Sequence, residues 1–301
     1  MTKEITIYLI DAFTKVAGKG NRAGVVLNAD CLTEKEMQEI ATFANVSETA
    51  FVMQGSPSDG YDLHIRYFTP TTEIPLCGHA TIATHYLRAL KENIHDATVT
   101  AKTGAGILPV DISTQDRQTY ITMTQGTPKM GDILSAKDQE ILLNALGLSA
   151  DDLIHGLPLQ LADTGHAKVM IPIKSQEKLN QISPDLEALK TLSHKINCNG
   201  YYIFTIEEEG QPYKTHGRMF APAIGIDEDP VTGMANGIAG LYLAHHGVFG
   251  AVQNPTYQAI QGEAINSAGD MKVMVEMDGK NVTKVQIAGT AIQAKQLTYR
   301  L

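Results

Sequence analysis

The chain of 301 residues carries one sequence pattern twice, and this repetition limits the folds that are open to it. The segment Arg66-Tyr67-Phe68-Thr69-Pro70 returns as Arg218-Met219-Phe220-Ala221-Pro222, with Arg, Phe and Pro each displaced by 152 residues. Further along the chain the displacement becomes 155 residues, so that Gly78 corresponds to Gly233. Two copies of this length do not make a solenoid, whose repeats span roughly 20–50 residues. The repetition therefore predicts two similar lobes, with equivalent loops facing each other across a cleft.

Each copy shows the pattern of several strands and two helices. In the first copy, strands are predicted at residues 4–13, 25–27, 49–53, 63–68, 98–112 and 119–125, and helices after the capping-box pair Thr33/Glu36 and from about Gly78 to Lys91. In the second, strands are predicted at residues 157–162, 168–173, 201–206, 216–220, 257–265, 271–277 and 283–290, and helices at Ser183-Pro184 (as N-cap and first residue) and from about Gly233 to His245. The second helix of each copy is rich in small residues and lacks a wide polar face, which favours burial inside a curled sheet.

These elements predict an α+β fold of two pseudo-symmetric lobes, each a β-sheet curled around a central helix. The N-terminal lobe is predicted to span residues 1–128 and the C-terminal lobe 129–291, with the boundary between the copies in the segment 127–149. The final strand, 292–301, is surplus to the repeat and could join either lobe.

Composition excludes several classes of partner. A net charge of −9 without any local cluster of Lys and Arg is atypical of a nucleic-acid-binding protein. The three cysteines are far apart and match no zinc or CxxC spacing, and the chain has no apolar run of about 18 residues and no signal-peptide pattern. We therefore expect a reduced, cytoplasmic protein with no membrane partner. Motifs of serine nucleophiles and of metal-dependent hydrolases are missing, so no metal site is predicted.

The segment Gly18–Ala23 has the spacing GxGxxA, which in dinucleotide-binding proteins opens a helix. Here the segment continues into Val25-Val26-Leu27, the pattern of a strand, so a tight loop is the better interpretation. Asn21, at the centre of this loop, is then placed to offer its amide to the cleft.

The helices that begin at Gly78 and Gly233 have a possible role in binding anions. Unpaired backbone N–H groups and the helix dipole make a helix N-terminus attractive to a carboxylate. A pair of them at one cleft would suit a small carboxylate-bearing ligand. The alternative, that both glycines only permit tight packing, remains open from the residues alone.

Glu48, preceded by Ser47, stands where a loop enters a strand, and its counterpart 152 residues later is Gly200. A carboxylate in a cleft could act as a general base, with burial raising its pKa from about 4.3 toward neutrality. A solvated or salt-bridged glutamate is the alternative. His79 corresponds to Met234, and Cys77 to Thr232, so the cysteine pair of a two-base racemase is incomplete.

Five motifs together resemble the PhzF-like isomerase family of phenazine biosynthesis, in order and spacing, over essentially the whole chain. They are Asp11–Phe13 with Gly20–Val26, Ser47–Phe51, Arg66–Pro70, Pro75–Thr81 and Glu228–Gly233.

The resemblance implies the diaminopimelate-epimerase fold, with an active site between the lobes and proton transfer that needs no cofactor. It implies that Glu48 is the general acid/base and that His79 and Asp229 hold and polarise the substrate. It also implies that Gly78 and Gly233 donate backbone hydrogen bonds, and that a homodimer forms. Four further residues complete the predicted substrate-binding set: Asn21, Ser47, Thr232 and Met234.

The sequence departs from the family at Met234, where the phenazine enzyme carries a serine, so the phenazine precursor itself is a doubtful substrate. The predicted function is a cofactor-independent isomerase that moves a proton on a small carboxylate-bearing metabolite. Two alternatives stay open. One is an amino-acid racemase or epimerase that uses Cys77 with a non-cysteine partner. The other is a non-catalytic carboxylate-binding or scaffold protein.

Overall fold

The computed structural model describes residues 3–207 and 213–301, which fall into two compact units. Unit 1 comprises Met1–Thr124 and Ala288–Leu301, and unit 2 comprises Gln125–Ile287. In neither described range is there a helix with the length and apolar character that a membrane crossing requires.

Unit 1 alternates strands with two helices and a short 3₁₀ turn at Pro57–Asp59. Its elements are β1 (Glu4–Ala12), β2 (Asn21–Val26), α1 (Glu34–Ala44), β3 (Glu48–Ser56), β4 (Tyr61–Phe68), β5 (Glu73–Ile74), α2 (Gly78–Glu92), β6 (Ala97–Thr103), β7 (Gly106–Gln115), β8 (Gln118–Thr124) and, at the end of the chain, β18 (Ala291–Arg300). The strands pair in the order β18-β1-β2-β3-β4-β6-β7-β8, and β5 adds to β4. Two pairs are parallel, β2–β3 joined through α1 and β4–β6 joined through α2.

Helix α2 is the centre of unit 1. Every residue from His79 to Ala89 is buried, and the helix packs against β1, β2, β3, β7, β8 and β18. Because these strands include both ends of the sheet, the sheet must curl around the helix, as predicted. Helix α1 is amphipathic instead, with Met37, Ile40, Ala41 and Ala44 buried, and the predicted capping box between Thr33 and Glu36 is present.

Unit 2 repeats this plan, with 3₁₀ turns at Ala150–Asp152 and Pro222–Ile224. Its elements are β9 (Lys129–Ile133), α3 (Ala136–Leu146), β10 (Gln160–Asp163), β11 (Lys168–Pro172), α4 (Gln176–Gln181), α5 (Leu186–Ile196), β12 (Tyr201–Glu207), β13 (Lys214–Ala221), β14 (Ile226–Asp229), α6 (Gly233–His245), β15 (Thr256–Gln261), β16 (Gly269–Asp278) and β17 (Asn281–Gly289). The parallel pairs are β11–β12 and β13–β15. Nearly all of α6 is buried, like α2 in unit 1.

The pairing order of the two units is the same, which confirms the predicted α+β fold with an internal duplication. Strands β10 to β13 correspond to β1 to β4, and β15 corresponds to β6. The final strand is not surplus to the repeat, contrary to the prediction. It pairs antiparallel with β1, from Arg300 opposite Glu4 to Ala291 opposite Ala12, just as β9 pairs antiparallel with β10.

Several predicted boundaries were wrong for local reasons. The single strand 98–112 is a hairpin that turns through Gly104 and Ala105. The helix placed at Ser183-Pro184 begins after Asp185, whose carboxylate accepts a hydrogen bond from the Ala188 amide and caps the helix. Helix α3 lies inside the segment that was taken as a boundary.

Candidate active site

Glu48 and His79 form a buried pair in unit 1. Glu48 is the first residue of β3, next to Ala23 of the parallel strand β2, and His79 is the second residue of α2. Glu48 Oε2 lies 3.1 Å from His79 Nε2, and the two side chains are 12% and 9% exposed. The crossover from β4 through α2 therefore brings a helix start to a strand start, and with them two of the three predicted catalytic residues, Glu48 and His79.

Ser47 and Cys77 complete this group, which we call the unit 1 cluster (Ser47, Glu48, Cys77 and His79). Ser47 Oγ lies 3.2 Å from His79 Nε2 and donates a hydrogen bond of 3.3 Å to the carbonyl of Arg22. Cys77 Sγ lies 3.4 Å from His79 Nδ1. The imidazole is thus contacted through both ring nitrogens, which fixes its orientation.

The expected rise in the pKa of Glu48 is wrong. Burial alone raises the pKa of this carboxyl, but the contact with His79 and its positive charge, with Ser47 and Cys77, outweigh burial and bring the pKa below its ordinary 4.5. Burial lowers the pKa of His79, yet Cys77 and Glu48 together hold it well above 6.5. Burial raises the pKa of the Cys77 thiol above its ordinary 9.0. Cys77 and Glu48 thus both favour the protonated form of the His79 imidazole.

One carboxylate oxygen of this ion pair, Glu48 Oε2, can still accept a hydrogen bond. Glu48 Oε2 is buried and makes no hydrogen bond, although His79 Nε2 lies 3.1 Å away. Ligand atoms of Glu48, Cys77 and His79 also lie within 4.8 Å of one another, close enough to hold a metal ion together. Direct attraction between the protonated imidazole and the carboxylate accounts for the contact between His79 and Glu48.

Helix α2 starts without a side-chain cap. Cys77 occupies the N-cap position and its side chain accepts no hydrogen bond from the first turn. A Cβ placed on Gly78 would meet no atom within 4 Å, so there is open space beside Gly78. Unused N–H groups facing open space can bind an anion. Behind them, Tyr67 Oη lies 2.7 Å from Thr81 Oγ1, which donates to the Cys77 carbonyl at 2.7 Å and anchors the turn.

The glycine-rich loop is held by Asp11, which is 1% exposed. Its carboxylate accepts hydrogen bonds from the Gly18 amide at 2.7 Å and from the guanidinium of Arg22 at 2.6 and 2.9 Å. The loop then enters β2 at Asn21, which is buried. No helix opens here, which agrees with the interpretation as a tight loop and not as a nucleotide fingerprint.

Unit 2 builds a second group around the start of α6, which we call the unit 2 cluster (Asp229, Thr232, Asn236 and Gln261). Thr232 Oγ1 donates to Asp229 Oδ2 at 2.5 Å. Gln261 Nε2 donates to the Asp229 carbonyl at 2.7 Å and to Thr232 Oγ1 at 3.1 Å, while Gln261 Oε1 accepts from the Thr232 amide at 3.0 Å and from Asn236 Nδ2 at 2.8 Å. The buried amide of Gln261 thereby fixes the turn that carries Asp229.

Two tyrosines and a glutamine hold α6 from other directions. Tyr202 Oη donates to Asn236 Oδ1 at 2.5 Å, and Tyr257 Oη donates to the Asn236 carbonyl at 2.7 Å. Gln125 Nε2 donates to the Gly233 carbonyl at 2.9 Å. Met234 lies on the same first turn, with its Cε 3.7 Å from where a Cβ on Gly165 would stand, so it packs against the loop between β10 and β11.

The structure therefore gathers the predicted residues into two groups, each within one unit. Ser47, Glu48, Gly78 and His79 are neighbours in unit 1, and Asn21 begins the strand beside them. In unit 2, Asp229, Thr232, Gly233 and Met234 are neighbours at the start of α6. Sequence reasoning missed Asn236 and Gln261 of the unit 2 cluster, and Asp11, which holds the glycine-rich loop. Their signals, single polar residues inside strand or helix patterns, resemble ordinary surface positions.

Each unit is a sheet curled around a buried helix, and this repeated architecture is the racemase and epimerase fold. Solved racemases and epimerases that are only 10% identical to this chain superpose with TM-scores of 0.65, so they show the common fold alone. The sequence profile of the phenazine biosynthesis-like proteins, PhzC-PhzF, matches residues 10–296, and the chain belongs to this family.

Relatives match over almost their whole lengths. An uncharacterized isomerase of Clostridium acetobutylicum is 47% identical, with 97% of each chain covered. The trans-2,3-dihydro-3-hydroxyanthranilate isomerase of Pseudomonas fluorescens is 30% identical, with 94% of this chain and 95% of the relative covered. The crystal structure of a PhzF-family protein of Bacillus anthracis is 34% identical and has a TM-score of 0.89, with 99% of each chain covered.

Proposed function

We propose that this isomerase transfers a proton between two carbons of a small carboxylate-bearing metabolite, with Glu48 as general acid/base and no cofactor. The observation that carries the proposal is the buried Glu48–His79 ion pair, whose Glu48 Oε2 has no hydrogen-bond partner. An ionised carboxylate with a free lone pair can accept a proton from carbon. The open space beside Gly78 gives a ligand carboxylate or enolate oxygen a place at the helix end.

The proposed reaction has two proton transfers. Glu48 removes a proton from a carbon next to an unsaturated or carboxylate group, and the C–H electron pair moves into the adjacent π system. The neutral carboxylic acid then returns the proton to another carbon of the same system, which restores the Glu48 carboxylate. A positioned acid/base typically contributes about 10²–10⁴-fold to the rate.

His79 has a second task in this scheme. A carboxylate with a lowered pKa is a weak base, so the transition state needs additional stabilisation of negative charge. The protonated imidazole beside Glu48 and the α2 amides supply that stabilisation where charge develops on the substrate. In the proposal, Asn21, Asp229, Thr232 and Met234 keep the substrate-binding role that the resemblance implies for them.

A cysteine-based racemase is the second candidate, because Cys77 lies 3.4 Å from His79 Nδ1. The raised pKa of the Cys77 thiol speaks against it, since the thiolate is the basic form. The Pseudomonas fluorescens relative is named for a substrate that is an amino-substituted cyclic carboxylate. We propose the same class, small unsaturated carboxylates, without the same compound, because Met234 replaces the serine of the phenazine enzyme.

Deuterium exchange tests the proposal. The protein is incubated in deuterated water with pooled unsaturated carboxylates, and mass spectrometry follows the uptake of deuterium at carbon. The expected result is uptake that is lost in Glu48→Gln and retained in Cys77→Ala. Uptake that is lost only in Cys77→Ala would favour the racemase, and a tightly bound acid that never exchanges would favour a binding protein.

A further inference from the structure

Lys168, the first residue of β11, is a buried cation for which the proposed proton transfer has no role so far. The residue is only 6% exposed. Its ammonium donates two long hydrogen bonds, both 3.4 Å, to the carbonyls of His166 and Ala167. Hydrogen bonds of N–H to O are typically about 2.7–3.2 Å long, so both contacts are weak.

A second buried cation of unit 2, Arg218, has strong hydrogen-bond partners. Arg218 donates to Glu228 at 2.8 and 2.9 Å and to the carbonyls of Leu179 and Ile182 at 3.0 and 2.7 Å. Lys168, by contrast, has no carboxylate within ion-pair distance among the described residues. A buried charge without a partner costs several kcal/mol in most proteins, so its retention needs a reason.

The internal duplication supplies that reason. In unit 1, the parallel strands β2 and β3 place Ala23 beside Glu48. In unit 2, β11 and β12 run parallel with Val169 beside Tyr201, so one residue earlier Lys168 stands beside Gly200. Gly200 is the counterpart of Glu48. The long side chain of each pair therefore comes from a different strand in the two units. It is Glu48 on β3 in unit 1 and Lys168 on β11 in unit 2.

Packing confirms that the Lys168 side chain occupies the place that a side chain on Gly200 would need. A Cβ on Gly200 would lie 2.5 Å from Lys168 Cδ and 2.9 Å from Lys168 Cε, and 2.3 Å from Met219 Cε. Glycine at 200 is therefore what allows the lysine to reach along the sheet. Burial lowers the pKa of this ammonium from the ordinary 10.5. The charges of Cys198, Asp163 and Asp229 oppose this change but do not cancel it.

We propose that Lys168 is a substrate-binding residue whose ammonium pairs with a carboxylate of the ligand beside Asp229. The assignment rests on the proposed function, because it takes the ligand to be a small carboxylate. It adds a specificity determinant to unit 2 on the strand next to Gly200, the counterpart of the general base of unit 1. An incompletely hydrogen-bonded ammonium gains its missing strong partner when the carboxylate arrives.

Matched acid and amide probes test the assignment on the full chain. The probes are anthranilate with anthranilamide, and L-proline with L-prolinamide, and dissociation constants are measured by ligand-observed NMR titration. In Lys168→Met we expect the dissociation constant of the preferred acid to rise about 10- to 100-fold, with little change for its amide. Lys174→Met is the matched control, because Lys174 is an exposed lysine six residues along the chain that donates only to the Asp151 carbonyl.

A stability measurement separates binding from a structural role. A lysine that supports the fold would destabilise the protein when removed, whereas removal of an unpaired buried charge leaves the urea midpoint unchanged or raises it. We expect the second result for Lys168→Met, and Lys168→Gln serves as a second variant if the methionine packs poorly. Lower midpoints in both variants would overturn the assignment.

Three other outcomes would also overturn it: a wild-type protein that binds neither acid more tightly than its amide, Lys168→Met with unchanged affinity for the acid, or equal losses for acid and amide. The proposed proton transfer fails separately. If the wild-type protein never exchanges deuterium, while the acids bind in a Lys168-dependent way and Glu48→Gln binds them equally well, the ligand class stands and the reaction does not.

Discussion

Gln261 is the residue whose replacement most directly tests how the start of α6 is built. Its side chain makes four hydrogen bonds of 2.7–3.1 Å, to the Asp229 carbonyl, to Thr232 twice and to Asn236. Methionine has a similar volume, so Gln261→Met removes the hydrogen bonds without opening a cavity. A net value of about 1 kcal/mol for each bond predicts a loss of about 3–4 kcal/mol in the free energy of unfolding.

Urea titration measures this loss. Because the chain has no tryptophan, unfolding is followed by circular dichroism, and hydrogen exchange of the α6 amides assigns the change to unit 2. We also expect kcat/KM toward an exchanging acid to fall about 10- to 100-fold, because a small displacement of a residue that orients substrate is costly.

The matched control is Gln258→Met, on the same strand, whose amide makes one exposed hydrogen bond of 3.2 Å to Asp270. Its expected effect is within about 0.5 kcal/mol, as for most surface substitutions. If Gln261→Met costs less than about 1 kcal/mol, the amide does not hold the turn. If it costs the predicted amount but leaves kcat/KM unchanged, Asp229 does not act on the substrate.

Three further predictions concern packing, protonation and thiols. A Cβ on Gly217 would lie 2.1 Å from Tyr202 Oη, so Gly217→Ala should lower the free energy of unfolding by about 2–3 kcal/mol in urea titrations. Because the pKa of Glu48 is lowered and that of His79 is raised, kcat/KM should stay level between them, falling on the acid side below pH 4.5 and on the alkaline side well above pH 6.5. In a thiol titration of the native protein at neutral pH, only the exposed Cys31 should react, and the two buried thiols should follow on unfolding.

Each of these has a clear contrary result. Unchanged stability in Gly217→Ala would mean that the Tyr202 ring is free to move. A protonation step of Glu48 near pH 6 or 7 would contradict the ion pair. Because the pKa of Glu48 is lower in the folded protein, the carboxylate stabilises the fold at pH values above the pKa of the unfolded chain. This stabilisation is lost as the pH falls through the pKa of the folded protein. A second fast-reacting thiol in the native protein would contradict the burial of Cys77 or Cys198.

The duplication and the buried helices could be predicted from the sequence because both leave local signatures. The recurring Arg-x-Phe-x-Pro segment marks equivalent strands, and the small residues after Gly78 and Gly233 mark helices that other strands must approach closely. The capping box at Thr33 is likewise a local pattern, and it was confirmed. The final strand was misjudged, since its partner β1 lies almost a whole chain length away in sequence.

The electrostatics of the site could not be predicted from the sequence. Burial by itself would raise the pKa of Glu48, and the placement of His79 at 3.1 Å, together with Ser47 and Cys77, reverses the direction. Lys168 and Gln261 escaped notice for a related reason. A lysine that begins a strand and a glutamine that ends one are usually solvated, and their roles depend on neighbours that the fold brings from distant segments.

The pairing of β18 with β1 has a consequence for how the protein is made on the ribosome. Unit 2 is one continuous stretch of chain, so its strands can find their partners once β17 has emerged. Unit 1 must keep the outer edge of β1 uncovered until β18 has been synthesised. The half that is translated first is therefore the half that is completed last, and its exposed strand edge is the point at which a nascent chain is most open to mispairing.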